Sequence, residues 1–259
     1  MTSLRLGPVH LTVADLERSV AHYRDAIGLR ELGRDGATAR MGVDGRELVV
    51  LVEEAGARPA PHSTGLFHLA LLLPTRADLA RWLGHAARER IALTGLSDHL
   101  VSEAIYLQDP DGHGIEIYAD RPRDQWHDAT GALRLTTIPL DVEDLMRATD
   151  DPSFDAMPAG TTMGHVHLQV ADVEEAVAFY TRALGVEVMA RYGAQAAFLG
   201  ADGYHHHIGV NTWNSRGAGP PPAGSAALRH FTVQLAAPGP EGELRDPSGT
   251  RLVVQRDGR

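Results

Sequence analysis

The sequence predicts an α+β chain built from four βαβββ units, the last of them cut short. Three observations carry this reading. One segment recurs, each copy passes from strand-like alternation into a capped helix, and Asp-Pro turns mark the ends of two further units. "GPVHLTVADLERSVAHYRDAIGL" at 7–29 returns as "GHVHLQVADVEEAVAFYTRALGV" at 164–186 without a gap. Such self-similarity points to a duplicated structural unit.

Each copy opens with period-2 alternation, the mark of a half-buried strand. In the first, Val9, Leu11 and Val13 share one face, and Pro8, His10 and Thr12 the other. Asp15 and Asp172 stand where they would N-cap amphipathic helices, which Gly28 and Gly185 close. "ATARMGV" and "ELVVLVE" continue the first unit, and "QAAFLGA" and the histidine-rich "GYHHHIGVNTW" the third. The second unit, 66–118, runs from "LFHLALLL" through a helix expected over Thr75 to Arg90 and ends in "EAIYLQDPDGHGIEIYAD". The fourth passes from "LRHFTVQL" almost directly to "RDPSGTRLVVQ". Only 10 residues separate Leu235 from Asp246, against 35 between Leu73 and Asp109, so it has no room for a helix. Residues 121–161, with prolines and the helical pattern "LDVEDLMRAT", read as a linker packed along the surface. It would join an N-terminal domain, 1–120, to a C-terminal one, 162–259.

Composition narrows the function classes. The net charge is -10 and the basic residues form no runs, which argues against a nucleic-acid or anionic-membrane partner. There is no cysteine, so thiolate metal sites and disulfides are excluded. No run approaches the roughly 20 apolar residues of a membrane span. The expectation is a soluble, cytoplasmic protein. Histidine is abundant, with 14 residues against 6 tyrosines, and it draws attention to imidazole chemistry.

The four units, the strand alternation and the "DPDG" turn resemble the vicinal oxygen chelate superfamily. That superfamily holds glyoxalase I, bleomycin-binding proteins, fosfomycin-resistance enzymes and extradiol ring-cleaving dioxygenases. "DPDGHGIEIYADRPRDQW", "SDHLVSEAIYL" and "GYHHHIGVNTW" look like its two-domain, catechol 2,3-dioxygenase-like branch, and the resemblance covers nearly the whole chain. It implies two glyoxalase/dioxygenase-type domains whose curved strands enclose a cleft, with helices outside. Apolar strand faces then meet the helices, and the opposite faces look into the cleft. His68, Glu116, Tyr118, His165 and His167 fall on cleft faces. The same alternation, carried through the histidine stretch, turns His206 outward with Ile208 and Val210. It leaves His205, His207, Gly209 and Asn211 inward.

The resemblance also implies where a metal is held: at the start of each first strand and on each last strand. By position these sites are Pro8, His68, His165 and His230, with Glu116 and Val253 on the last strands of units two and four. Pairing units one and two offers His68 and Glu116, with His10 as the alternative first ligand. Pairing units three and four offers His165, His207 and His230 without a carboxylate. Crossing units two and three offers His68, Glu116 and His165, a two-histidine, one-carboxylate set. Units one and four would then form a vacant pair. The crossed set is favoured.

Further roles follow from the resemblance. Tyr106 stands ten residues before Glu116, where the dioxygenases carry a substrate-contacting tyrosine, and His99 lies near a substrate-contacting histidine. His207 aligns with the acid/base histidine, and an imidazole suits that task because its ordinary pKa is ~6.5. His205, His167, Asn211 and Tyr118 are candidate substrate or supporting groups. Asp109 and Asp111 shape their turn, while His62, His85, His113 and His127 read as solvated. The implied cofactor is Fe(II), with Mn(II), Zn(II), Ni(II) and Co(II) open, and the implied substrates are a catechol-type aromatic and O2. The alternatives are a glyoxalase-like metal-dependent isomerase, lyase or transferase, and a non-catalytic drug-binding protein. Self-association into a homo-oligomer is left open.

Overall fold

Two large sheets organise the chain, and each takes one unit from either half of the sequence. The computed structural model describes residues 4–236 and 239–256. One sheet has seven strands, in the order Gly242–Arg245, Arg251–Arg256, Leu228–Leu235, Leu4–Val13, Arg46–Glu53, Thr38–Val43 and Arg30–Asp35. It unites units one and four. The other has nine strands, and its centre runs Ser102–Gln108, Gly114–Asp120, Gly65–Leu72, Thr162–Gln169, Ile208–Asn211 and Ala196–Gly200. It unites units two and three. The sheets therefore follow the crossed pairing rather than the halves 1–120 and 162–259.

The repeat is preserved down to its hydrogen bonds. Asp15 and Asp172 cap helices Leu16–His22 and Val173–Leu184, accepting from the amides of Arg18 and Glu175. Gly28 and Gly185 adopt the left-handed conformation at the helix ends, where a side chain would be strained. Thr75 caps helix Arg76–Glu89 and Arg90 ends it. Tyr23 and Tyr180, equivalent in the two copies, donate to Asp109 and Asp246 in the Asp-Pro turns of the following units. Those turns are built by the aspartates: Asp109 Oδ1 accepts from the amides of Asp111 and His113, and Asp246 Oδ1 from those of Ser248 and Thr250. His113 is not solvated, for it is buried and its Nε2 lies 2.9 Å from the Thr12 carbonyl.

Hydrogen-bonded turns thus tie units within each half of the sequence, while sheet pairing ties the halves to each other. Apolar strand faces and helices share one continuous core, with Trp82, Tyr23, Tyr180 and Phe231 among its largest fully buried side chains. In the fourth unit, no helix occurs among the described residues after Leu235. No described helix is long and apolar enough to cross a membrane.

Two expectations about local structure are corrected. The histidine stretch is not a strand: Asp202 and Gly203 take positive φ in a turn, and the strand begins only at Ile208. Segment 121–161 is more than a surface linker. Its residues Ile138–Pro139 extend the nine-stranded sheet beside Leu93–Asp98, and Leu145 in helix Val142–Met146 is fully buried.

Candidate metal centre

Three adjacent central strands of the nine-stranded sheet each present one ligand-type side chain to the same face. Glu116 pairs with Ala70 across one strand boundary, and Ala70 pairs with His165 across the next. His68 lies one pleat away from Ala70 on the same strand face. Alanine at 70 leaves space for the side chains on either side to converge above it. His68 Nε2 lies 3.0 Å and His165 Nε2 3.1 Å from the same Glu116 Oε2, and the two Nε2 atoms are 3.3 Å apart. All three residues are buried. They are the one group of His, Asp and Glu among the described residues with ligand atoms gathered this closely.

The electrostatics suit a cation. Burial pushes the Glu116 carboxyl up, but the neighbouring His165 and His68 outweigh it and hold the group well below the usual carboxylate range. Burial lowers the His165 imidazole against the pull of Glu116. An anionic carboxylate beside a lowered His165 imidazole suits metal binding, which takes deprotonated carboxylates and neutral imidazoles. The donor set also fits. If both histidines donate Nε2–H to the carboxylate, two N–H groups face each other at 3.3 Å. A cation, by contrast, takes lone pairs from all three groups.

The expected consequence of the alanine is testable. Ala70→Val should fill the space between Glu116 and His165, cost about 1–3 kcal/mol through overpacking, and abolish Co(II) uptake in a spectroscopic titration. Co(II) binding as tight as in the wild type would contradict this arrangement.

A cavity of about 390 Å³ opens over the triad. Its walls include Phe67, Phe198, Trp213 and Tyr192, and the last two are exposed at 41 % and 62 %, which places them at its rim. Phe67 meets Trp213 edge-on with centroids 5.3 Å apart. His167 also lines the cavity and packs against Phe67, Phe198 and His68. Its Nε2 is buried without a partner, and burial keeps its imidazole well below the ordinary histidine range.

His99 and Tyr106 line the same cavity and bond each other. The His99 Nδ1 lies 2.8 Å from the Thr136 carbonyl, which can only accept, so that nitrogen carries the hydrogen. In a neutral ring the Nε2 then accepts from the Tyr106 hydroxyl, 2.7 Å away. Burial, then Glu116, pushes the Tyr106 phenol well above its ordinary range, so it remains protonated. Leu135, Thr136 and Thr137 of the 121–161 segment line this cavity too. Sequence reasoning missed Thr136 because its contribution is a backbone carbonyl, for which no side-chain signal exists.

Several other candidates lie elsewhere. His10, the alternative first ligand, is in the seven-stranded sheet, stacked on His230 with centroids 3.9 Å apart. Burial, then His230, lowers its pKa to about 4. Asn211 is fully buried and accepts from the Trp213 amide. Tyr118 bonds Tyr204 behind the triad, in a space kept open by Gly164, whose added Cβ would come within 1.9 Å of the Tyr118 hydroxyl. None of Asn211, Tyr118 and His205 lines the cavity.

The histidine stretch reverses its expected faces. His206 lines the cavity, its ring tilted against that of His165 with centroids 4.1 Å apart, while His207 lines a separate depression with Leu4, Pro8 and Tyr204. Alternation fails here because residues 205 and 206 precede the strand and follow the Asp202-Gly203 turn. Burial, then His205, lowers the His207 pKa to about 3. Its folded value thus lies below the unfolded one. The stability it contributes is complete above the unfolded value and is lost as pH falls, by about 3 kcal/mol near pH 4. Denaturant titrations at pH 7 and pH 4 should therefore show a steep loss, and His207→Asn should reduce the slope.

Comparison with known proteins gives a consistent result. Residues 5–117 and 162–241 match the model of the Glyoxalase/Bleomycin resistance protein/Dioxygenase superfamily. A catechol-2,3-dioxygenase of Bacillus subtilis (strain 168) is 42% identical over 244 residues, covering 91% of this chain and 85% of that protein. Among solved structures, a candidate dioxygenase from Bacillus subtilis superposes with a TM-score of 0.64 at 14% identity, covering 98% of this chain and 86% of its own. Glyoxalase I from Zea mays gives 0.61 at 17% identity, with 98% and 92% covered. These last two establish the fold.

Proposed function

Because the chain belongs to the Glyoxalase/Bleomycin resistance protein/Dioxygenase superfamily, we propose that it is a metal-dependent extradiol dioxygenase. It would open the ring of a catechol-type aromatic beside its diol, consuming O2, as a step in aromatic catabolism. The observation that carries this reading is the meeting of His68, Glu116 and His165 beneath an aromatic-walled cavity that also contains the His99–Tyr106 pair.

His68, Glu116 and His165 would hold the metal, for which Fe(II) is proposed ahead of Mn(II), Zn(II), Ni(II) and Co(II) on the strength of the dioxygenase relative. When bound, Fe(II) supplies Lewis acidity toward vicinal oxygens and redox contact with O2. The protein does the rest. Phe67, Phe198 and Trp213 stack against an aromatic ring and exclude water from it. Tyr106 commits its hydrogen to His99 and offers its oxygen as an acceptor, while His99 is positioned to take that hydrogen and return it. His167 packs in the cavity wall against Phe67, Phe198 and His68 and helps to fix the shape the ring must fit. His206 replaces His207 as the proton-handling histidine of the cavity.

Anaerobic loading with Fe(II), followed by oxygen-uptake measurements over a panel of catechols, tests the proposal. Uptake with a catechol supports it; bound iron with no uptake across the panel would defeat it. Oxygen-independent turnover with Zn(II) or Ni(II) would select the glyoxalase-like alternative. Ligand binding unaffected by His68→Ala would select a binding protein.

A further inference from the structure

The turn that precedes strand Ile208–Asn211 contains a chain of polar contacts leading away from the cavity. His206 lines the cavity, and its Nδ1 lies 2.8 Å from the Nδ1 of His205. His205 is completely buried, and its Nε2 lies 2.9 Å from Asp120 Oδ1. The Tyr204 hydroxyl donates to the same carboxylate oxygen at 3.3 Å, and Tyr118 stands 2.8 Å behind Tyr204. The Asp120 side chain is about a quarter exposed, so the chain of contacts runs from the cavity to the protein surface.

Each contact has a direction. A carboxylate only accepts, so His205 Nε2 carries a hydrogen. Tyr204 gives its own hydrogen to Asp120 and therefore receives the one from Tyr118. With its hydrogen on Nε2, a neutral His205 ring has a bare Nδ1, and the 2.8 Å contact then takes its hydrogen from His206 Nδ1. A neutral ring with hydrogen on Nδ1 has none on Nε2. No described residue bonds that second nitrogen, which is thus the one left to meet a ligand.

We propose that Asp120, acting through His205, is a positioning residue that fixes the His206 tautomer and so points a bare Nε2 lone pair into the cavity, where it accepts a hydrogen bond from a substrate hydroxyl. The logic is that of a carboxylate orienting a catalytic imidazole, extended by one ring. The place of His206 beside a substrate rests on the dioxygenase reading; the tautomer does not.

The test uses the full chain, ring-15N-labelled at histidine and loaded with diamagnetic Zn(II), with His206 assigned by comparison with His206→Gln. The expected spectrum shows hydrogen on Nδ1 of His206 and a bare Nε2. In Asp120→Asn the amide can donate to His205 and reverse the chain, so hydrogen should move to His206 Nε2. With Fe(II), kcat should then fall on the order of 10–100-fold, the scale of an orienting partner, with KM and metal content nearly unchanged, and Asp120→Glu should restore much of it. A wild-type His206 carrying hydrogen on Nε2 overturns the proposal, and so does a tautomer unchanged in Asp120→Asn. If Asp120→Asn does not fold, the wild-type spectrum decides alone. The expected tautomer in a protein that consumes no oxygen upholds the positioning role and overturns only the dioxygenase reading.

Discussion

Glu116→Gln is expected to weaken Fe(II) binding by more than about 100-fold, beyond the 10–100-fold typical of residues that only orient ligands. The amide is neutral and a poor replacement for an anionic oxygen approached by both His68 and His165 at 3.0 and 3.1 Å. Metal content after dialysis and the metal-induced rise in Tm are the measurements, because a ligand bound only by the native state stabilises it in proportion to its affinity. The rise should vanish, while the metal-free protein should unfold near the wild-type temperature. Stoichiometric metal in dialysed Glu116→Gln would remove the carboxylate from the ligand set.

The second large effect concerns the pair above the triad. Tyr106→Phe and His99→Gln should each lower kcat on the order of 100-fold, within the range of a proton-transferring group, without loss of metal. Since the Tyr106 hydrogen is given to His99, the two should act as one device. The double variant should then be no slower than the worse single variant. Losses that simply multiply would show that the 2.7 Å contact has no functional coupling. Thr136, which orients His99 through its carbonyl, cannot be tested by side-chain deletion.

What the sequence revealed and what it concealed have separate physical causes. His68, Glu116 and His165 lie in unbroken strands with an apolar face turned to the helices, so the period of two assigned their directions correctly. The helix caps and Asp-Pro turns were equally legible, because their chemistry is local. His99 and Tyr106 were found through the resemblance, although only the fold brings them within 2.7 Å. The histidine stretch misled because alternation presupposes a continuous strand. The turn at Asp202 and Gly203 breaks that continuity and exchanges the faces of His206 and His207. Phe67, Trp213 and Tyr192 carried no signal, since an aromatic residue in a strand or loop is most often packing. The role of 121–161 stayed hidden because a loop that closes a cavity has the composition of any loop.

The crossed sheets have a consequence for how the ligand set is assembled. His68 and His165 are separated by 97 positions, and Glu116 lies between them in the chain. An ion held by all three would behave as a reversible crosslink, closing long chain loops much as a disulfide does in a protein that has no cysteine. Its binding energy would fall on the junction between strands Gly65–Leu72 and Thr162–Gln169, where the two halves of the polypeptide meet. Metal would then report on, and reinforce, the docking of one half against the other.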